Sequence, residues 1–132
     1  MDQQSMMQHG AFSWNELMTT DVSAAKTFYG GLFGWDMHDD SSGEMTYTML
    51  KAGEREVGGM MALPAEAEGA PAAWGSYVTV NDVDKQSVKA EQLGGKVVLA
   101  PRDIPNVGRF AVISDPQGAI LTLITYNENC ME

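Results

Sequence analysis

The order strand, helix, three strands occurs twice along this chain, and an internal repeat of that kind restricts the fold more than any single motif within it. In the first half, Phe12, Trp14, Glu16 and Met18 alternate onto one face of an extended segment, with Leu17 on the other. TTDVSAAKTFYGGLFGW follows, in which Asp21 or Thr20 can cap a helix whose apolar face is Val22, Ala25, Phe28, Tyr29 and Leu32, and Gly30 with Gly31 lets the helix stop. Short runs at 35–38, 45–51 and 56–62 read as three strands, separated by the turn compositions DDSSG and KAGER. PAEAEGAPAA has no apolar periodicity and reads as a connector over 64–73. Beyond it the pattern returns. Residues 74–80 read as a strand, and DVDKQSVKAEQLGG as a helix capped by Asp82 and stopped by Gly94 and Gly95. Three more strands follow at 96–99, 107–114 and 119–126, with the turn DPQG between the last two.

An offset of 61 residues places Asp21 on Asp82, Val22 on Val83, Leu32 on Leu93 and Gly34 on Gly95. Farther on the offset is 63, pairing Tyr47 with Phe110, Met49 with Val112 and Gly59 with Thr122. The two additional residues of the second half then fall in the loop PRDIPNVG. The expected organisation is a poorly ordered lead-in at 1–10 and one domain over 11–126, followed by a tail at 127–132. Within the domain, a module at about 11–63 and a second at about 74–126 flank the connector.

A sheet with a helix on one face leaves its other apolar face to be covered. Two such units side by side predict an α+β fold of tandem βαβββ modules, their sheets curving around a shared cavity. The pleat assigns Trp14, Glu16 and Met18 to the inner face of one half and Gly75, Tyr77 and Thr79 to that of the other. Leu17, Val78 and Val80 then pack under the helices.

Taken in order, TTDVSAAKTFYGGLFGW, VNDVDKQSVKAEQLGGKV and GRFAVISDPQGAILTLI resemble the two strand–helix entries and the closing DP-x-G hairpin of the vicinal oxygen chelate superfamily. That group includes glyoxalase I, extradiol dioxygenases and bleomycin- and fosfomycin-resistance proteins. The resemblance runs from Phe12 to Tyr126, and the W-x-x-Y of Trp74 to Tyr77 is similar to that of a metal-ambiguous, glyoxalase-like subgroup. In metal-using members, four cavity positions hold His, Gln or Glu around a divalent ion. The resemblance puts those positions at Trp14, at Gly75 or Ser76, near Gly59 and at Thr122. None of these is a competent ligand for a transition ion, which prefers imidazole and carboxylate. The two histidines, His9 and His38, lie in the lead-in and at the end of a short strand, and do not make up a site by themselves. No metal and no cofactor is expected.

What remains for the cavity is Trp14, Glu16, Met18, Tyr77, Thr79 and Thr122, with Tyr47, Met49, Trp74, Arg109 and Phe110 at its wall or mouth. Aromatic and thioether groups with few polar handles suit a flat or cationic ligand, unless the same side chains plug the space. Glu16 is the one carboxylate among them; in apolar surroundings it would act as general acid or base, and paired with Arg109 it would be a strut. Ser76, Thr79 and Thr122 have no histidine nearby to make one of them a nucleophile.

Eighteen acidic against eight basic side chains, a net charge of −10, count against polyphosphate partners, and the basic residues are scattered. Nucleic acid and membrane are excluded as partners on this reading. No apolar run approaches the length of a membrane span and no signal peptide opens the chain, which points to the cytoplasm. Cys130, the one cysteine, reads as an incidental thiol. The resulting expectation is a metal-independent protein of the glyoxalase and bleomycin-resistance type, binding a small, mostly apolar or cationic molecule as a homodimer. The alternatives are a lyase, isomerase or hydrolase using Glu16, and a module that pairs with another chain.

Overall fold

Two aspartates open the two helices in the same manner. Asp21, extended at φ −148°, accepts a hydrogen bond from the Ala24 amide at 3.0 Å, and Asp82, at φ −152°, accepts one from Lys85 at 3.1 Å. Each carboxylate satisfies an amide that the first helical turn leaves without a partner. The structure, a computed structural model, describes residues 7–41, 45–64 and 69–127. The elements in chain order are β1 (Phe12–Thr19), α1 (Val22–Phe33), β2 (Asp36–Asp40), β3 (Tyr47–Ala52) and β4 (Arg55–Ala62), then β5 (Ala73–Thr79), α2 (Val83–Gln92), β6 (Lys96–Ile104), β7 (Gly108–Ser114) and β8 (Ile120–Tyr126). This is the βαβββ order twice, in the α+β class. Cys130, residues 1–6 of the lead-in, 42–44 at the end of and just after DDSSG, 65–68 of the connector and 128–132 of the tail lie outside the described residues.

The chain divides into one unit of Trp14–Gly75 and a second made of the remaining residues. In the first, the strands run β2-β3-β4-β1, with β1 parallel to β4 and the other pairs antiparallel. In the second they run β6-β7-β8-β5, with β5 parallel to β8 and the rest antiparallel. The registers are equivalent as well. Glu16, Leu17 and Met18 lie opposite Gly59, Met60 and Met61, while Tyr77, Val78 and Thr79 lie opposite Thr122, Leu123 and Ile124. Each residue of the second set follows its counterpart by the 61 or 63 positions read from the sequence, so the hydrogen-bond ladders carry the repeat.

Each unit packs its helix on one sheet face. Leu17, Leu50 and Met60 form a buried cluster under Val22, Ala25 and Tyr29 of α1. Val80, Val83, Ala111 and Leu123 form the other, with Val78 and Ile113 against it. The turn between β7 and β8 is held by Asp115, whose carboxylate accepts the amides of Gln117 and Ala119, both at 2.9 Å.

Several details differ from the expected pattern; among them, Asp39 and Asp40 of DDSSG belong to β2 rather than to the turn. Helix α1 runs through Gly30 and Gly31 to Phe33 and stops at Gly34, where φ reaches +70° and the amide bonds back to the Gly30 carbonyl at 2.9 Å. A glycine permits termination, but the left-handed residue produces it. Phe28 and Leu32, expected inward, are more than half exposed, because they lie on the flank of the line through Val22, Ala25 and Tyr29. Residues 101–104 of the expected loop PRDIPNVG extend β6, where register shifts at Val97/Leu99 and Leu99/Arg102 take up the extra length. Gly10 and Ala11 pair with Thr79, and His9 Nδ1 accepts the Asn81 amide at 3.0 Å, so bonded structure starts before β1.

Candidate functional site

Because Leu17 points into the core under α1, its neighbours Trp14, Glu16 and Met18 occupy the opposite face of β1. The ladders extend that face sideways. Gly59 of β4 lies opposite Glu16 and also opposite Met49 of β3, and Met61 lies opposite Met18. The Tyr47 ring reaches across this face: a Cβ on Gly59 would run into its hydroxyl and ring atoms. The ring ends on Trp14, whose indole Nε1 donates to the Tyr47 hydroxyl at 2.8 Å. Glu16 is buried, 7% exposed, and engaged in interactions of its own.

The corresponding face of the second unit carries Tyr77, Thr79, Phe110 and Thr122. Tyr77 lies opposite Thr122, Thr122 opposite Val112, and Ile124 between Thr79 and Phe110. Tyr77 and Thr79 are buried. Val78, Ala111 and Leu123 take the face under α2.

Trp74 and Arg109 are placed differently from the rest of the expected set. Trp74 turns toward α1, where its Nε1 donates to the Tyr29 hydroxyl at 3.1 Å and the two rings meet edge to face. Arg109 turns toward α2. Its Nε and Nη2 donate to the two oxygens of Asp84, each at 3.0 Å, and Nη1 donates to Asp103 at 3.1 Å. These bonds, to Asp84 first and then Asp103, hold the guanidinium above its ordinary value. Alternation separates these two from their neighbours: Trp74 precedes Gly75, and Arg109 shares parity with Ala111 rather than Phe110.

In the first unit a third polar group is tied down at the edge. Asp39 of β2 accepts from Lys26 Nζ at 2.8 Å and from the buried Thr48 hydroxyl at 2.7 Å, and those bonds, that of Lys26 first, hold its carboxyl below the usual value.

The donor set does not fit a metal ion. An indole N–H is a donor only, glycine has no side chain, and the threonine hydroxyl is a poor ligand for a transition ion. Among the described residues, no three His, Cys, Asp or Glu side chains converge. The arrangement offers instead flat π surfaces, thioethers and one carboxylate.

A family model described as Glyoxalase/Bleomycin resistance protein/Dioxygenase superfamily matches residues 11–123. The chain is 43% identical over 116 residues to a putative glyoxylase, CFP32, of Mycobacterium bovis, covering 87% of this chain and 44% of that protein. It is 33% identical over 125 residues to the anthracycline biosynthesis protein DauV of Streptomyces sp. strain C5, covering 83% of this chain and 45% of that one. The chain thus spans about half the length of these relatives. In fold it is similar to methylmalonyl-CoA epimerase from Mycobacterium tuberculosis, with a TM-score of 0.64 at 16% identity, over 96% of this chain and 93% of that one. No helix among the described residues is long and apolar enough to cross a membrane.

Proposed function

The chain belongs to the glyoxalase/bleomycin resistance protein/dioxygenase superfamily, and from that premise we propose that it binds a small, mostly apolar or cationic organic molecule without using a metal ion. The ligand lies against the sheet face that carries Trp14, Met18 and Tyr47; the face with Tyr77, Thr79, Phe110 and Thr122 has the same character. The observation that carries this reading is the Trp14–Tyr47 hydrogen bond over Gly59. It puts two fixed aromatic groups where the resemblance assigns metal ligands, and rigid aromatic surface binds flat molecules at little entropic cost. The similarity to an anthracycline biosynthesis protein supports an organic ligand. The test is a thermal-shift screen of EDTA-dialysed protein against organic cations and polycyclic aromatics, with the fluorescence of a Trp35→Phe/Trp74→Phe variant, in which Trp14 is the one remaining indole, as the second readout. Stabilisation with quenching is expected. A screen in which every compound leaves both unchanged until a divalent transition metal is restored overturns the reading.

A second reading is favoured by the burial of Glu16. There the carboxyl acts as general acid or base in a lyase, isomerase or hydrolase reaction. Glu16→Gln should then retain ligand binding and lose turnover. We infer also that two copies pair, which sedimentation across a concentration range checks.

A further inference from the structure

On the α1 side of the Trp14–Gly75 unit, an open groove of about 430 Å³ is walled by four aromatic rings, those of Tyr29, Phe33, Trp35 and Trp74. The rings support one another. Tyr29 stacks with Phe33 at 6.3 Å and with Trp35 at 6.0 Å between centroids, and Trp74 meets Tyr29 and Trp35 edge-on at 5.4 and 6.1 Å. The Trp74–Tyr29 hydrogen bond orients the fourth wall. The floor stays bare for a steric reason: a Cβ on Gly58 would come within 2.7 Å of the Asn15 carbonyl oxygen. These rings are not all consumed by packing, since Phe33 is 57% and Trp74 41% exposed.

Among the described residues, none that lines the groove is charged. The selectivity therefore comes from the π faces and from the field of the surrounding unit. Among its described residues, Trp14–Gly75 holds seven Asp and Glu against three Lys and Arg, a net −4, in a chain whose net charge is −10. Lys26 and Asp39, paired at 2.8 Å, cancel each other and leave that balance unchanged. Such a field draws cations and repels anions, and ring faces carry the negative end of the aromatic quadrupole. The volume lies in the lower part of the range for small-molecule pockets, enough for one or two fused rings.

We propose that this groove is a second ligand site, for a planar organic cation such as an N-alkylated heteroaromatic, on the opposite side of the sheet from the Trp14 face and independent of binding there. The probe is N-methylquinolinium, titrated calorimetrically into the full chain beside its neutral isostere 1-methylnaphthalene and the anion 1-naphthoate. N-methylquinolinium should bind more tightly than the isostere, and 1-naphthoate least. Trp74→Leu and Phe33→Leu should each weaken the cation roughly five- to tenfold, the size of one cation–π contact. Both positions are exposed enough for the fold to survive, which far-UV circular dichroism checks, and Val88→Thr on α2 should leave affinity unchanged. In a proton–nitrogen spectrum, the Trp74 indole resonance should move with the cation whether or not that of Trp14 moves too. Unchanged affinity in both ring variants, equal binding of 1-naphthoate, or movement of Trp14 alone overturns the assignment. Ligand responses at Trp14 without any at Trp74 would leave the reading of the opposite face standing while removing this one.

Discussion

The indole Nε1 of Trp14 and the hydroxyl of Tyr47 are joined by a 2.8 Å hydrogen bond, and the bond can form only because residue 59 carries no side chain. A strand glycine here marks where another group approaches the backbone. The approaching group is a ring from the neighbouring strand, and it turns an unoccupied stretch of sheet into a fixed aromatic surface.

Gly59→Ala should therefore displace the Tyr47 ring and break its bond to Trp14. The expected cost is about 1–3 kcal/mol by overpacking. Combining it with Tyr47→Ala should cost less than the two single changes added, since the colliding ring is gone. Urea denaturation of the four proteins measures this, and the Trp14 indole proton signal reports the broken bond.

Gly108→Ala should be worse than Gly59→Ala. At Gly108 the new Cβ would meet the backbone of Thr125 and Tyr126, which the β7–β8 ladder holds in place, whereas at Gly59 it meets the end of a side chain that can swing. Comparing their denaturation midpoints tests the ranking.

Asp21→Ala and Asp82→Ala should each cost about 1 kcal/mol, the usual value of a helix cap, and the two losses should add. Equal effects are expected because the carboxylates make equivalent bonds to Ala24 and Lys85. Thermal or urea unfolding of the single and double variants checks it.

Asp39 supplies a pH dependence whose sign follows from its bonds. Lys26 first, and Thr48 next, hold the folded carboxyl below its ordinary 3.8, so the unfolded chain takes up the proton more readily. The contribution is present above that value and is lost as pH falls below it. The stability difference between the unsubstituted chain and Asp39→Asn should thus be full at neutral pH and shrink in acid. A difference that stays constant from neutral pH to about pH 3 would contradict the assignment.

Much of the fold was legible because it is written locally. The caps Asp21 and Asp82, the alternation through Leu17 and the two offsets all come from neighbouring residues, and the ladder pairing Glu16 with Gly59 and Tyr77 with Thr122 obeys them. What was not legible depends on distance or on a choice between allowed states. Gly30, Gly31 and Gly34 can all end a helix, and only the chain that follows selects Gly34. Trp14 and Tyr47 are 33 positions apart on different strands, and the one hint of their meeting was Gly59 in an otherwise strand-like run. Trp74 and Arg109 were separable by parity. Aromatic and basic character suits a cavity wall, while their backbone positions turn them toward Tyr29 and Asp84. The groove beside Trp74 needs α1, the Gly34 turn and β5 together, which no local pattern contains.

Ligand recognition by the Trp14 surface in place of an ion is tested most directly by titrating one screening hit into two samples, EDTA-stripped protein and protein reloaded with Mn, Ni or Zn, while following the Trp14 indole signal. Equal affinity in both samples is predicted, with a loss of about tenfold on Trp14→Phe. Binding that appears only in the reloaded sample, or that Trp14→Phe leaves untouched, would contradict it.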